Sequence, residues 1–227
     1  MKKTIVVFTG AVISAESGLK TFRDSDGLWE NHRIEDVATP QAWLANRKLV
    51  IDFYNERRRN VLAAKPNAAH EALALLQKKF NVHIITQNVD DFHERAGCKQ
   101  VTHLHGEILK VRSSLREALQ YEWKKDLNES DTCELGSQLR PHIVWFGEAV
   151  PKLDEAIHLC EQADIFIAIG TSLNVYPAAS LIHYTAPEAQ CFFIDPKEPD
   201  TKPPYYFTFI QAKATSGVPA LVSQLME

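Results

Sequence analysis

Five short apolar runs recur along the chain: TIVVF at 4–8, VHIIT at 82–86, HIVWF at 142–146, IFIAI at 165–169 and CFFI at 191–194. Runs of this kind suit strands buried on both faces, and the helix-like stretches between them supply the crossovers that parallel strands require. The pattern predicts an α/β chain built on a doubly wound parallel sheet. Helices are expected at roughly 40–63 and 67–79, with Pro66 and Asn67 marking the break and restart, and a closing helix over Val218–Met226 after Pro219. One stretch departs from the pattern. Residues 112–140 are polar and lack a strand-like run, and they read as a small inserted module packed through a helix face of Leu115, Leu119 and Trp123.

A chain of 227 residues, 45% of them hydrophobic, can bury a substantial core. Its net charge of -4 gives no general basic field for nucleic acid. No window reaches the roughly 18 apolar residues of a membrane span, so neither nucleic acid nor membrane is expected as a partner. Lys2 and Lys3 followed by the apolar stretch from Thr4 to Ala15 imitate a secretory signal, against which stands the reading of that stretch as the first structural strand. Cys98, Cys133, Cys160 and Cys191 show no pairing pattern and no CxxC, which points to a reducing, cytoplasmic setting.

Polar groups collect where strands should end. In VVFTGAVISAESG (6–18) a strand turns at Gly10 into a helix whose start Ser14 and Ser17 are placed to cap, the arrangement of a pyrophosphate site and equally of an ordinary βα turn. Val12 stands where such loops use glycine to let a pyrophosphate approach, so a compromised cradle is expected. The loop SGLKTFRDSDGLW (17–29) carries Phe22, Arg23 and Trp29, costly residues for a plain connector, and is placed to close over a ligand or to tuck its aromatics into the core. TQNVDDFHERAG (86–97) sets Gln87, Asn88 and Asp90 beyond a strand end, where open α/β sheets bind ligands and where helix caps also sit. In VTHLHGE (101–107) an extended backbone sends His103 and His105 to opposite faces, and Gly106 leaves room beside His105, the candidate general base. Gly170, Thr171 and Ser172 follow the fourth run, and Asp195 ends the fifth as a possible acceptor for ribose hydroxyls.

Taken together, GAVISAESGLKTFRDSDGLW, TQNVDD, HLHG, RPHIVWFGE and GTS, in this order along nearly the whole chain, strongly resemble the sirtuins, NAD-dependent protein lysine deacylases. The resemblance implies a Rossmann-type NAD-binding domain (about 1–30, 80–110 and 141–227) with a smaller inserted domain (about 31–79 and 111–140) and acyl-lysine entering between them. NAD would be held by Gly10, Ala11, Val12, Thr21, Phe22, Arg23, Gln87, Asn88, Asp90, Gly170, Thr171, Ser172 and Asp195, the last standing where the family commonly has asparagine. His105 matches the catalytic histidine. Val144, Trp145, Phe146, Gly147 and Glu148, with Asn174, Val175 and Tyr176, would flank the substrate peptide as it adds a β-strand. In the family reaction the acyl oxygen attacks the ribose carbon as nicotinamide leaves, the histidine helps deprotonate a ribose hydroxyl, and O-acyl-ADP-ribose is released.

Ala38, Tyr54 and Arg57 match the sirtuins that remove succinyl and malonyl groups. Tyr54 and Arg57 share one helix face, and a guanidinium fork with a phenol can grip a carboxylate. A solvated basic face would explain Arg57, Arg58 and Arg59 equally, but not Tyr54. The family's Cys₄ zinc site is absent: serine stands at 113 and 114 where the first pair should begin, only Cys133 remains nearby, and no metal is expected. An NAD hydrolase or ADP-ribosyltransferase, and an NAD- or peptide-binding module weakened by Val12, are the alternatives to deacylation.

Overall fold

The computed structural model describes residues 2–20, the backbone of 28 and 29, residues 32–199 and residues 201–227. Thr21, Phe22 and Arg23, and most of the loop expected to close over a ligand, lie outside the described residues. In chain order the strands are Thr4–Thr9 (β1), Leu28–Trp29 (β2), His32–Arg33 (β3), Asn81–Thr86 (β4), Val101–His103 (β5), Gly106–Ser113 (β6), Gln120–Glu122 (β7), Leu139–Ile143 (β8), Ile165–Ile169 (β9), Gln190–Asp195 (β10) and Phe207–Gln211 (β11). The α-helices are Val12–Ala15 (α1), Ile34–Val37 (α2), Pro40–Ala45 (α3), Arg47–Ala63 (α4), Ala68–Leu76 (α5), Phe92–Arg95 (α6), Leu153–Glu161 (α7) and Ala214–Met226 (α8), with a 3₁₀ helix at Ala178–His183.

Six parallel strands form the main sheet in the order β11-β10-β9-β1-β4-β5. The central strand β1 is apolar from Ile5 to Phe8 because both of its faces are covered. Ile5 and Val7 point into a core with Leu73 of α5 and Val218 and Leu221 of α8. Val6 and Phe8 point the other way, against Ala156 and Cys160 of α7 and Leu181 of the 3₁₀ helix. The expected Rossmann-type, doubly wound sheet is therefore present.

The smaller element differs from expectation. Residues 112–140 form no helix; β6, β7 and β8 make an antiparallel sheet in the order β7-β6-β8. Ser113 Oγ accepts from the N–H groups of Leu115 and Arg116 at 3.1 Å each, starting a turn. Leu115 is 73% exposed, whereas Leu119, Tyr121 and Trp123 pack against the core beneath. Their spacing of two is that of a strand, and the helical spacing of 115, 119 and 123 was coincidental. HIVWF is likewise not a strand of the main sheet, since β8 ends at Ile143 and the next three residues line a cavity.

Long helices cover the small sheet. The expected 40–63 helix is two: Thr39 caps α3 by accepting from Ala42 N–H, and Asn46 interrupts, capping α4 by accepting from Leu49 N–H, each at 3.0 Å. Val50, Phe53 and Tyr54 of α4 pack on Ile108, Val111 and Ile143 of the sheet. The closing helix starts four residues earlier than Val218 because Glu16 accepts from Ala214 N–H at 2.7 Å and from the Thr215 hydroxyl, so Pro219 lies inside α8.

The zinc site of the resembling family does not fit here. Cys133 is the single cysteine of the small sheet and its connections, and its Sγ lies 3.5 Å from Ser113 Oγ and 3.2 Å from Ser137 Oγ. One thiolate with two hydroxyls is not a structural zinc ligand set.

Candidate active site

A cavity of ≈ 250 Å³ opens where the carboxyl ends of β1, β4 and β9 face the end of β8. Its floor is backbone. Gly10 N–H donates to Ile169 O at 2.9 Å, and Val12 N–H donates to Gly170 O at 3.2 Å. A Cβ on Gly10 would lie 2.6 Å from Gly170 O, so the turns after β1 and β9 touch only because this residue has no side chain.

Val12 is not strained. It opens α1 after Ala11, whose φ of -66° is helical, and Leu173 is the sole non-glycine with positive φ among the described residues. Val12 adopts no glycine-like backbone angle. Space for its branched side chain comes from Gly170, where φ is +61° and a Cβ would meet Val12 Cβ at 2.8 Å.

The other wall follows β4. Asn88 Nδ2 donates to Gly10 O at 3.1 Å and to Ser14 Oγ at 3.0 Å, and Gln87 Nε2 donates to Thr171 Oγ1 at 3.0 Å. Ser14 thus ties two loops together; α1 has no side-chain cap, contrary to expectation, and Ser17 Oγ accepts from Asn67. Asp90 is buried, which raises its pKa against the opposing hydrogen bonds of Ser14 and of Phe92 N–H. Gly10, Ala11, Val12, Gln87, Asn88, Asp90, Gly170, Thr171 and Ser172 all line the cavity. A glycine-floored cleft rimmed by small polar side chains at strand ends fits a dinucleotide.

Asp195 is not among the lining residues. It is buried at the end of β10, where its Oδ1 accepts from Lys197 N–H at 3.0 Å. Asn174 also lies off the cavity and is exposed, with its Oδ1 accepting from the Thr201 hydroxyl at 3.3 Å.

The two histidines separate as expected, by a different cause. The strand stops at His103, and a bend at Leu104 and His105 precedes β6. His103 is buried: Nδ1 donates to Asn88 O at 3.0 Å and Nε2 meets Glu94 Oε1 at 2.8 Å. Burial lowers its pKa, but the bond to Glu94 and that carboxylate's charge raise it further, so the net shift is upward. His105 lines the cavity, and its Nδ1–H donates to Gln87 O at 3.0 Å, which leaves Nε2 as the basic atom of the neutral ring. Burial lowers its pKa against that bond. Gly106 leaves space for β8 more than for His105: with φ +84°, a Cβ there would strike His142 O at 2.1 Å.

Helix α4 brings Tyr54 and Arg57 to the same cavity, which Ala38 also lines. Arg57, Arg58 and Arg59 of α4 do not form one solvated face. Arg57 is half-buried at the cavity; Arg58 is 1% exposed, donating to Ile108 O at 3.0 Å and Asn55 Oδ1 at 2.7 Å; exposed Arg59 pairs with Asp126. Tyr54 is fully buried, and burial drives its pKa up, so the phenol keeps its proton. Val144 N–H donates to His105 O, and Phe146 N–H to Ala38 O, each at 3.0 Å, which fixes the far wall to both regions. Phe146 and Tyr176 are exposed at the rim beside Gly147 and Val175. Trp145 is buried, and Glu148 is taken up by Arg140, so neither offers itself directly to a peptide. Lys20, from the loop at 17–29, and Val61 of α4 also line the cavity, and neither belongs to a strand-end motif.

Residues 10–177 match the Sir2 family. An NAD-dependent protein deacylase of Helicobacter pylori is 53% identical over 225 residues, covering 99% of this chain and 98% of that protein. One from Bacteroides thetaiotaomicron is 49% identical over 231 residues, covering 99% and 98%. Among solved structures, a Sir2 homolog in complex with NAD is similar at TM-score 0.88 and 40% identity, covering 99% of this chain and 90% of that one. A variant Sir2 with deacetylated p53 peptide and 3'-O-acetyl ADP ribose is similar at TM-score 0.77 and 31% identity, covering 99% and 93%. The family match spans most of the chain and these relatives cover 99% of it, and the chain belongs to the Sir2 family of NAD-dependent protein deacylases.

Proposed function

We propose that this chain removes acidic acyl groups, succinyl and malonyl, from protein lysines, releasing nicotinamide and O-acyl-ADP-ribose. One observation carries the acyl preference: Tyr54, Arg57 and small Ala38 line the cavity that His105 also lines. A protonated phenol and a guanidinium suit an acyl carboxylate, which an acetyl group lacks.

NAD, held by the cleft at Gly10, Gln87, Asn88 and Thr171, would supply an electrophilic ribose carbon for the acyl oxygen, with nicotinamide as the leaving group. His105 takes the proton of a ribose hydroxyl at Nε2, the Gln87 carbonyl holding the ring in the required tautomer. The rim around Phe146, Gly147 and Tyr176 receives the peptide backbone. The small sheet holds together without zinc, through its packing on α4. Among the described residues no helix is long and apolar enough to cross a membrane, and the four cysteines are buried thiols, which favours a cytoplasmic setting.

The protein, NAD and matched succinyl-, malonyl- and acetyl-lysine peptides, with products identified by mass spectrometry, test the reading. Faster turnover of the acidic acyl groups, with O-acyl-ADP-ribose formed, is expected. Preferred acetyl turnover, or ADP-ribose without peptide consumption, would refute it.

A further inference from the structure

Trp145 sits in a stretch matched to peptide binding, yet it is 2% exposed and held on several sides. Its backbone N–H donates to Glu148 Oε2 at 2.8 Å. The same carboxylate grips Arg140, with Nη1 at 2.8 Å and Nη2 at 3.1 Å. The Arg140 guanidinium lies 3.4 Å from the centroid of the indole ring, and the Trp43 ring packs at 5.7 Å. Arg140 Nη2 also donates to Ile143 O at 3.1 Å, pinning the clamp to the end of β8.

The clamped indole has one polar atom, and it is spent on Tyr54: Nε1–H donates to the phenol oxygen at 3.0 Å. An indole nitrogen only donates, whereas a phenol can donate or accept. A phenol that accepts from Trp145 must turn its own hydrogen elsewhere. Tyr54 is then a donor toward any group in the cavity, and a carboxylate, which only accepts, is its natural counterpart. Resting on the acidic-acyl reading above, we propose that Trp145, clamped by Arg140 and Glu148, is a positioning residue that sets acyl selectivity by holding Tyr54 as a hydrogen-bond donor.

Trp145→Phe keeps a ring for Arg140 and removes the donor. It is expected to lower the succinyl-to-acetyl ratio of kcat/KM about fivefold, through KM and not kcat, the size of one neutral hydrogen bond. A defect confined to packing would lower both acyl rates together and leave the ratio unmoved. In a Tyr54→Phe background the same change is expected to have no further effect on the ratio. An unmoved ratio in Trp145→Phe, or an equal fall in both backgrounds, would overturn the inference. A wild type that prefers acetyl would instead overturn the acyl reading and this inference together. Should Trp145→Phe fail to fold, the Trp145 indole ¹H–¹⁵N resonance is read in wild type and Tyr54→Phe. An upfield move of that proton on losing the phenol supports the bond, and an unmoved resonance refutes it.

Discussion

Gly170→Ala tests the account of the cofactor floor. Two costs act at that position. The first is conformational, because φ is +61° and a left-handed L-residue costs about 1–2 kcal/mol. The second is steric: the new Cβ would stand 2.8 Å from Val12 Cβ and 3.0 Å from Ile13 N, inside the ~3.5 Å at which carbon contacts become favourable. Overpacking of this kind costs about 1–3 kcal/mol, so a total near 2–5 kcal/mol is expected by urea unfolding. Only the steric part depends on Val12. Val12→Gly by itself removes a half-buried residue from the first turn of α1 and is expected to cost about 1 kcal/mol. Combined with Gly170→Ala it should return the share of that ~1–3 kcal/mol owed to Val12 Cβ, leaving the conformational part and the Ile13 N contact unrelieved. Additive effects, with no coupling beyond ~0.5 kcal/mol, would mean that Val12 does not occupy the space Gly170 vacates. Calorimetric titration of NAD completes the test. Val12→Gly alone is not expected to tighten binding, and a tenfold gain would show the valine obstructing the ligand after all.

On the acidic-acyl proposal, Arg57→Met would remove a charge-assisted partner of the acyl carboxylate, and the succinyl-to-acetyl ratio of kcat/KM should fall about 10- to 100-fold; equal losses on both peptides would remove Arg57 from acyl recognition. As the proposed general base, His105 would act as a neutral ring, and burial holds its pKa below 6.5, so kcat/KM should hold down to that pH and fall only as pH drops through the depressed value. An acid limb at or above 6.5 that disappears with the histidine would contradict the burial argument. Prolonged EDTA treatment should leave the unfolding midpoint unchanged, since Cys133 bonds to serine hydroxyls; elemental analysis showing one tightly held zinc per chain would reverse that expectation.

The sheet was legible where strands are buried on both faces. β1, β4, β9 and β10 are nearly continuous apolar runs because helices cover them twice. β11 escaped notice as an edge strand with Thr208, Phe209 and Gln211 exposed, so its composition carries no such run. HIVWF misled for the opposite reason: Val144 to Phe146 are apolar for the cavity wall and for Trp145's buried clamp, and not for the main sheet. Periodicity misled in the insert because 115, 119 and 123 fit a helix while 119, 121 and 123 fit a strand, and Ser113 chose between them by starting a turn.

Site residues were legible by level and less so by lateral position. A motif at a strand's carboxyl end places a side chain at the ligand edge of the sheet, which holds for Gln87, Asn88 and Thr171, but it does not say above which strand the cleft lies. Asp195 ends the strand beyond β9, and so misses a cavity centred on β1, β4 and β9. Val12 shows the same limit at closer range. A pattern asks for glycine at one position, yet what the fold requires is that one of two touching residues lack a Cβ. Here Gly170 meets that requirement from the end of β9, so a valine that looked like damage in its own loop is compatible with an intact cradle, and the pair, more than either residue alone, is the unit on which mutation should act.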